Sequence, residues 1–175
     1  ANQKLKEIIN IVKKRPSIKD VRARLMLGGS SVDNPEFVEV LEHAGGAVVA
    51  DSVCTSTRTF WDDNLWMPEG QEIDDDLDEL VRRVYVRSLC PRIMNGHQER
   101  LKFIKSQIKN AKVDGLILQR IEFCDLHGCE NMLLEHEIEE DLGIPCLSID
   151  REHFLGDTGR LRTRVEAFLE KIGGQ

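Results

Sequence analysis

Four short apolar runs punctuate the chain, and between them apolar residues return at helical spacing. The runs are Ala23-Arg24-Leu25-Met26-Leu27, Gly46-Ala47-Val48-Val49-Ala50, Gly115-Leu116-Ile117-Leu118-Gln119 and Pro145-Cys146-Leu147-Ser148-Ile149. Each is too short for a helix and too apolar for a half-exposed strand, so each reads as a buried parallel strand. Asn34 is placed to cap a helix with Pro35 at its first position and Val38 and Leu41 inward, and Gly45-Gly46 stop it. His97 to Ala111 forms a second helix with Leu101, Ile104 and Ile108 inward. Glu130 to Leu142 forms a third, ending at Gly143, and Thr158 to Ile172 closes the chain as a fourth. This alternation predicts an α/β fold: a parallel four-stranded Rossmann-like or flavodoxin-like sheet with helices on both faces.

Three stretches stand outside the alternation. Leu5, Ile8, Ile9 and Val12 mark an amphipathic helix that ends near Arg15-Pro16, and something must cover its apolar stripe. Residues 1–19 are therefore a lead-in, and 20–175 the α/β domain. An opening helix without a preceding strand, on a chain starting at Ala1, suits a segment of a longer subunit. Between Thr59 and Gln71 periodicity is lost and Phe60, Trp61 and Trp66 lie close together, which fits a loop pinned by aromatic packing or a lid. Asp74, Asp75 and Asp76 then open a helix with Arg82, Arg83 and Arg87 in its later turns, the order that complements the helix dipole, and this helix delivers Cys90 at its end.

Length and charge narrow the function. At 175 residues the chain can bury a core without a structural metal, so a metal would serve function. Its 31 acidic and 24 basic residues give a net charge of −7, spread along the chain, which argues against nucleic acid as a partner. No apolar run spans a membrane, and the charged start Lys4-Leu5-Lys6-Glu7 is not a leader. Five cysteines, an odd number, point to metal binding or a reactive thiol in the cytoplasm rather than to disulfides.

Three of those cysteines share one kind of position. Cys54 follows the second apolar run, Cys124 follows the third, and Cys90 stands before Pro91 at a helix end. The carboxyl edge of an open α/β sheet is where ligands bind, so the three thiolates are expected to meet around one metal cluster. A lone cysteine is more often a small buried hydrophobe, which suits Cys146 inside its strand; Cys129 could pair with Cys124 as a ligand or simply pack at a helix start. The spacing C-x2-C-x2-C of a ferredoxin is absent, and so is G-x-G-x-x-G.

Taken together, several segments resemble one family. They are Arg24 to Ser30, Asp51 to Arg58, Ser88-Leu89-Cys90-Pro91, Val113-Asp114-Gly115 with Phe123-Cys124-Asp125, Gly143-Ile144-Pro145 and Arg160 to Glu170. The combination is similar to the carboxyl-terminal part of a subunit of the 2-hydroxyacyl-CoA dehydratase and benzoyl-CoA reductase family, from Val21 to Lys171. The resemblance implies a 4Fe-4S cluster held by Cys54, Cys90 and Cys124, with one iron lacking a protein thiolate. It also implies a related second subunit, an ATP-dependent activator that supplies one electron, an acyl-CoA substrate, and loss of water from a 2-hydroxyacyl thioester by way of a ketyl radical. The chain departs from the pattern at Thr55-Ser56, where a glycine is expected. Rival readings are an aryl-CoA reductase subunit, a double-cubane electron-transfer protein, and a plain Rossmann-like binding domain with ordinary buried cysteines.

The arginines add a clue independent of the family. Arg160, Arg162 and Arg164 crowd the start of the last helix, where positive charge is disfavoured, so an anion such as a CoA phosphate or the carboxylates of Asp157 and Glu166 would relieve it. Arg58 either stabilises cluster charge or pairs with Asp51.

Overall fold

A computed structural model describes residues 2–16, 20–60, 77, 81, 89–152, 156 and 158–174. Four strands, β1 (Ala23–Gly29), β2 (Gly46–Val53), β3 (Gly115–Ile121) and β4 (Cys146–Arg151), form one parallel sheet in the order β2-β1-β3-β4. The chain crosses from β1 to β2 on one side, then returns past β1 to β3 on the other. The change of direction opens a crevice at the carboxyl ends of β1 and β3, the switch point of a flavodoxin-like order.

The strands are apolar because helices cover both faces. Leu25, Leu27, Ile117 and Ile149 point to one side, where α2 (Pro35–His43) contributes Phe37 and Leu41 and the last helix, α6 (Thr158–Gly173), contributes Val165, Phe168 and Leu169. Met26, Leu116 and Leu118 point to the other, against Leu101, Ile104 and Ile108 of α4 (His97–Ala111) and Leu134 and Ile138 of α5 (Asp125–Leu142). Alternation along a strand sends neighbours to opposite cores, and each fully buried large side chain contributes roughly 1.5–3 kcal/mol. The inward residues expected for α4 are as predicted. In α2 the anchor missed is Phe37, fully buried, whereas Val38 is only partly so.

The expected caps are present. Asn34 Oδ1 accepts from the Glu36 amide at 2.9 Å with Pro35 next in line, and Gly143 ends α5 in the left-handed region at φ 65°. Two boundaries move. The α5 helix begins at Asp125, not Glu130, because Gly128, which reads as a helix breaker, is carried inside it. The second strand runs through Asp51 and Ser52 to Val53, since these pair in register with Leu27, Gly28 and Gly29 of β1. Gly28 and Gly29 thus belong to the end of β1. At Gly29, φ is 107° and a Cβ would fall 1.8 Å from the Gln119 carbonyl oxygen, so the missing side chain admits a neighbouring strand.

Leu5, Ile8, Ile9 and Val12 of α1 (Asn2–Lys13) are all exposed, so the described residues do not provide the cover expected for that stripe. The Trp61 and Trp66 stretch and the helix expected from Asp74 lie outside the described residues, apart from helical Leu77 and Val81.

Candidate metal centre

Cys54 is the first residue beyond β2, in a turn held by Asp51. The Asp51 carboxylate accepts from the Thr57 amide at 3.1 Å and the Thr57 hydroxyl at 2.9 Å, and it also takes the Ser56 hydroxyl. Thr59 Oγ1 donates to the Cys54 carbonyl at 3.1 Å. These contacts start the short helix α3 (Thr57–Phe60) and explain how the turn closes with Thr55-Ser56 where a glycine is expected: hydroxyls close it, and none of its residues has positive φ. With Asp51 so engaged, Arg58 turns instead to the cysteine. Its Nη2 donates to Cys54 Sγ at 2.9 Å and its Nη1 to the Ser52 carbonyl at 3.4 Å.

A residue that sequence reasoning missed approaches from the far side. His127, on the first turn of α5 and 3% exposed, brings Nε2 to 3.3 Å from Cys54 Sγ. Burial, helped by Arg58, pushes its pKa down to about 4, so the ring is neutral at physiological pH. The available signal was Cys124-Asp125-Leu126-His127, a histidine one turn into a helix that begins earlier than its glycine suggested.

Cys124 stands between β3 and α5, where Phe123 at φ 66° turns the chain and leaves its own ring 94% exposed. A left-handed phenylalanine costs roughly 1–2 kcal/mol, which the flanking strand and helix must offset. Cys90 lies in a turn ahead of α4, with Arg92 Nε donating to its Sγ at 3.1 Å.

Cys54 feels the other two thiols. Burial pushes the Cys54 thiol up against the pull of Arg58, and the charges of Cys90 and Cys124 add to the rise. At Cys90 burial opposes ionisation too, but the Arg92 amide and guanidinium, with Arg58 behind them, outweigh it and hold the thiol below its usual range. Buried Cys146, next to Glu139 and Glu135, is pushed up to about 12 and belongs to the core, while Cys129 is exposed inside α5 rather than at its start. Among the described residues, no three His, Cys, Asp or Glu side chains are gathered closely enough to hold a single metal ion. What the edge offers is three soft donors on three separate connections, with cations beside two of them.

A buried polar lattice braces this edge. Gln119, fully buried, donates to the Ser30 carbonyl and accepts from Arg151 Nε at 2.9 Å, and its own carbonyl accepts from the Ser30 amide at 3.0 Å. It ties the ends of β1, β3 and β4 together. Pro91 and Asp125, the residues after Cys90 and Cys124, line a cleft of about 330 Å³ together with Met94, Leu126, Cys129 and Leu133 over His97, Arg100 and Glu130.

Arg164, on α6, is engaged at β4, the far end of the sheet from β2: its Nη2 donates to the Ser148 carbonyl at 2.7 Å. Arg160 is exposed on the first turn of the same helix. Between them Arg162 pairs with Glu166 at 2.7 Å, so one of the two foreseen carboxylates is used.

Residues 1–172 match the family described as 2-hydroxyglutaryl-CoA dehydratase, D-component. The chain belongs to this family. Among curated dehydratase-family relatives, the YjiM subunit of Escherichia coli (strain K12) is 23% identical over 155 residues, 87% of this chain. The (R)-phenyllactyl-CoA dehydratase beta subunit of Clostridium sporogenes is 24% identical over 149 residues, 85% of this chain. The chain spans 38% of the length of each of these dehydratase-family subunits. No helix among the described residues is long and apolar enough to cross a membrane.

Proposed function

We propose that this chain is the cluster-bearing part, from residue 20 onward, of a longer subunit of an iron-sulfur (R)-2-hydroxyacyl-CoA dehydratase, with Cys54, Cys90 and Cys124 holding a 4Fe-4S cluster. What supports the reading is that the three thiols follow β2, follow β3 and stand in the turn before α4, and that, after burial, Cys90 and Cys124 both add to the raised pKa of Cys54. Soft thiolates suit iron, and ligands on three separate connections suit a multi-iron group better than a single ion. When bound, such a cluster would supply one-electron chemistry and a Lewis-acidic iron for a thioester carbonyl, allowing a ketyl radical to form and water to leave.

The chain's own residues would prepare that site. Arg58 and Arg92 place positive charge against two thiolates and favour their ionised, ligating form. Neutral His127 fills the space beside Cys54 without adding charge. The apolar walls Pro91, Met94, Leu126 and Leu133 would offer an acyl chain a surface that begins one residue beyond Cys90. Arg160, exposed at the start of α6, and Arg164, which holds Ser148, are candidates for contact with a CoA phosphate or a partner subunit. The beta-subunit relative supports a related second subunit, the family resemblance implies an ATP-dependent activator, and the odd set of free cysteines suits the cytoplasm.

Iron and acid-labile sulfide on anaerobically purified full-length subunit test the reading. About four irons per chain are expected, lost in Cys54→Ser, Cys90→Ser or Cys124→Ser and kept in Cys129→Ser. A full-length subunit without iron would overturn it.

A further inference from the structure

Cys90 has no strand of its own to place it. The turn that carries it is gripped from downstream by Arg100, one turn into α4 and 5% exposed. Arg100 Nη1 donates to the Cys90 carbonyl at 3.1 Å and to the Ile93 carbonyl at 3.0 Å. The same two oxygens close the turn, accepting from the Ile93 and Gly96 amides, each at 3.0 Å. The rest of the guanidinium is clamped by Glu130 of α5, with Nε to Oε1 at 2.7 Å and Nη2 to Oε2 at 2.8 Å. His97 braces Glu130 at 3.1 Å and Glu137 at 2.6 Å.

Two features single this pair out. A buried ion pair is often no more stable than apolar residues of the same volume, so holding geometry is a better account of it than stability. Space has also been cleared for it: a Cβ on Gly96 would stand 2.7 Å from Arg100 Nη1.

We infer that Arg100 and Glu130 are positioning residues for Cys90, a fork from α5 through α4 that fixes the ligand turn; the inference rests on Cys90 as a cluster ligand. Because Arg100 grips backbone oxygens, the turn is formed before any metal arrives. A lysine keeps the charge but cannot fork a carboxylate and span two carbonyls together.

The test is hydrogen exchange on cluster-free protein together with iron content after anaerobic loading, for the full-length subunit as wild type, Arg100→Lys and Gly96→Ala. In both variants the Ile93 and Gly96 amides should exchange roughly tenfold faster, as expected for losing a charged hydrogen bond, and iron should fall. The amides of β3 should not change, which separates a local clamp from general destabilisation. If Arg100→Lys fails to fold, Gly96→Ala, which keeps both charges, decides by the same readings. Unchanged exchange in a folded variant overturns the clamp; faster exchange with full iron overturns its role in holding the ligand. Wild-type protein without iron would instead overturn the reading of Cys90 on which this rests.

Discussion

Arg58 and Cys54 stand one helical turn apart in sequence, and Arg58 Nη2 donates to Cys54 Sγ across 2.9 Å. The contact sets a buried guanidinium against a thiol whose pKa burial raises, and it offsets part of that rise. Removing the cation leaves burial and the two neighbouring cysteines unopposed, so the Cys54 pKa must climb further.

In cluster-free Arg58→Ala, alkylation of Cys54 near neutral pH should therefore slow several-fold, because the thiolate is the reacting form. Its pH profile should move to higher pH, and Cys129 in the same sample should react at its wild-type rate. A Cys54 profile that stays in place would show that the guanidinium does not govern the thiol.

Gly29 is where β1 and β3 come closest around the crevice. An alanine there would need both the left-handed backbone and space held by the Gln119 carbonyl. Gly29→Ala should cost about 3 kcal/mol or more in stability, as overpacking and an incompatible φ together imply. Denaturant unfolding measures it, and a cost below about 1 kcal/mol would mean that the strands separate easily.

The two buried-side histidines predict opposite pH slopes. At His97 burial lowers the pKa, but hydrogen bonds from its ring to Glu137 and Glu130 outweigh it, so the folded value lies above the ordinary 6.5. Its stabilising contribution is present in full below pH 6.5 and is lost as pH rises through the raised folded value. At His127, held at about 4, the folded state resists protonation, and stability falls as pH drops from 6.5 towards 4. Unfolding midpoints of His97→Gln and wild type should thus differ most in mild acid and converge in mild alkali. The His127→Gln variant should lose the acid-side decline seen in wild type. A constant His97→Gln deficit at every pH would show that its contacts do not depend on charge.

Much of this architecture is a local matter and so was legible in the chain. Strand and helix order, the Asn34 and Gly143 caps, and the places of Cys54 and Cys124 beyond strand ends follow from periodicity and from residues a few positions apart. These signals exist because a helical turn or a strand pleat is decided by its immediate neighbours. One boundary was misplaced locally as well: α5 starts at Asp125, five residues ahead of the expected Glu130.

The meeting of distant residues was decided only by the tertiary structure. The order β2-β1-β3-β4 depends on which way each crossover passes the sheet, and it is that choice which sets Cys54 and Cys124 on either side of the β1 edge. His127 reaches Cys54 across 73 positions and Arg100 reaches Glu130 across 30. No periodicity encodes such pairs, because packing two helices on one face of a sheet brings the side chains together, and only then do burial and proximity give them altered charge.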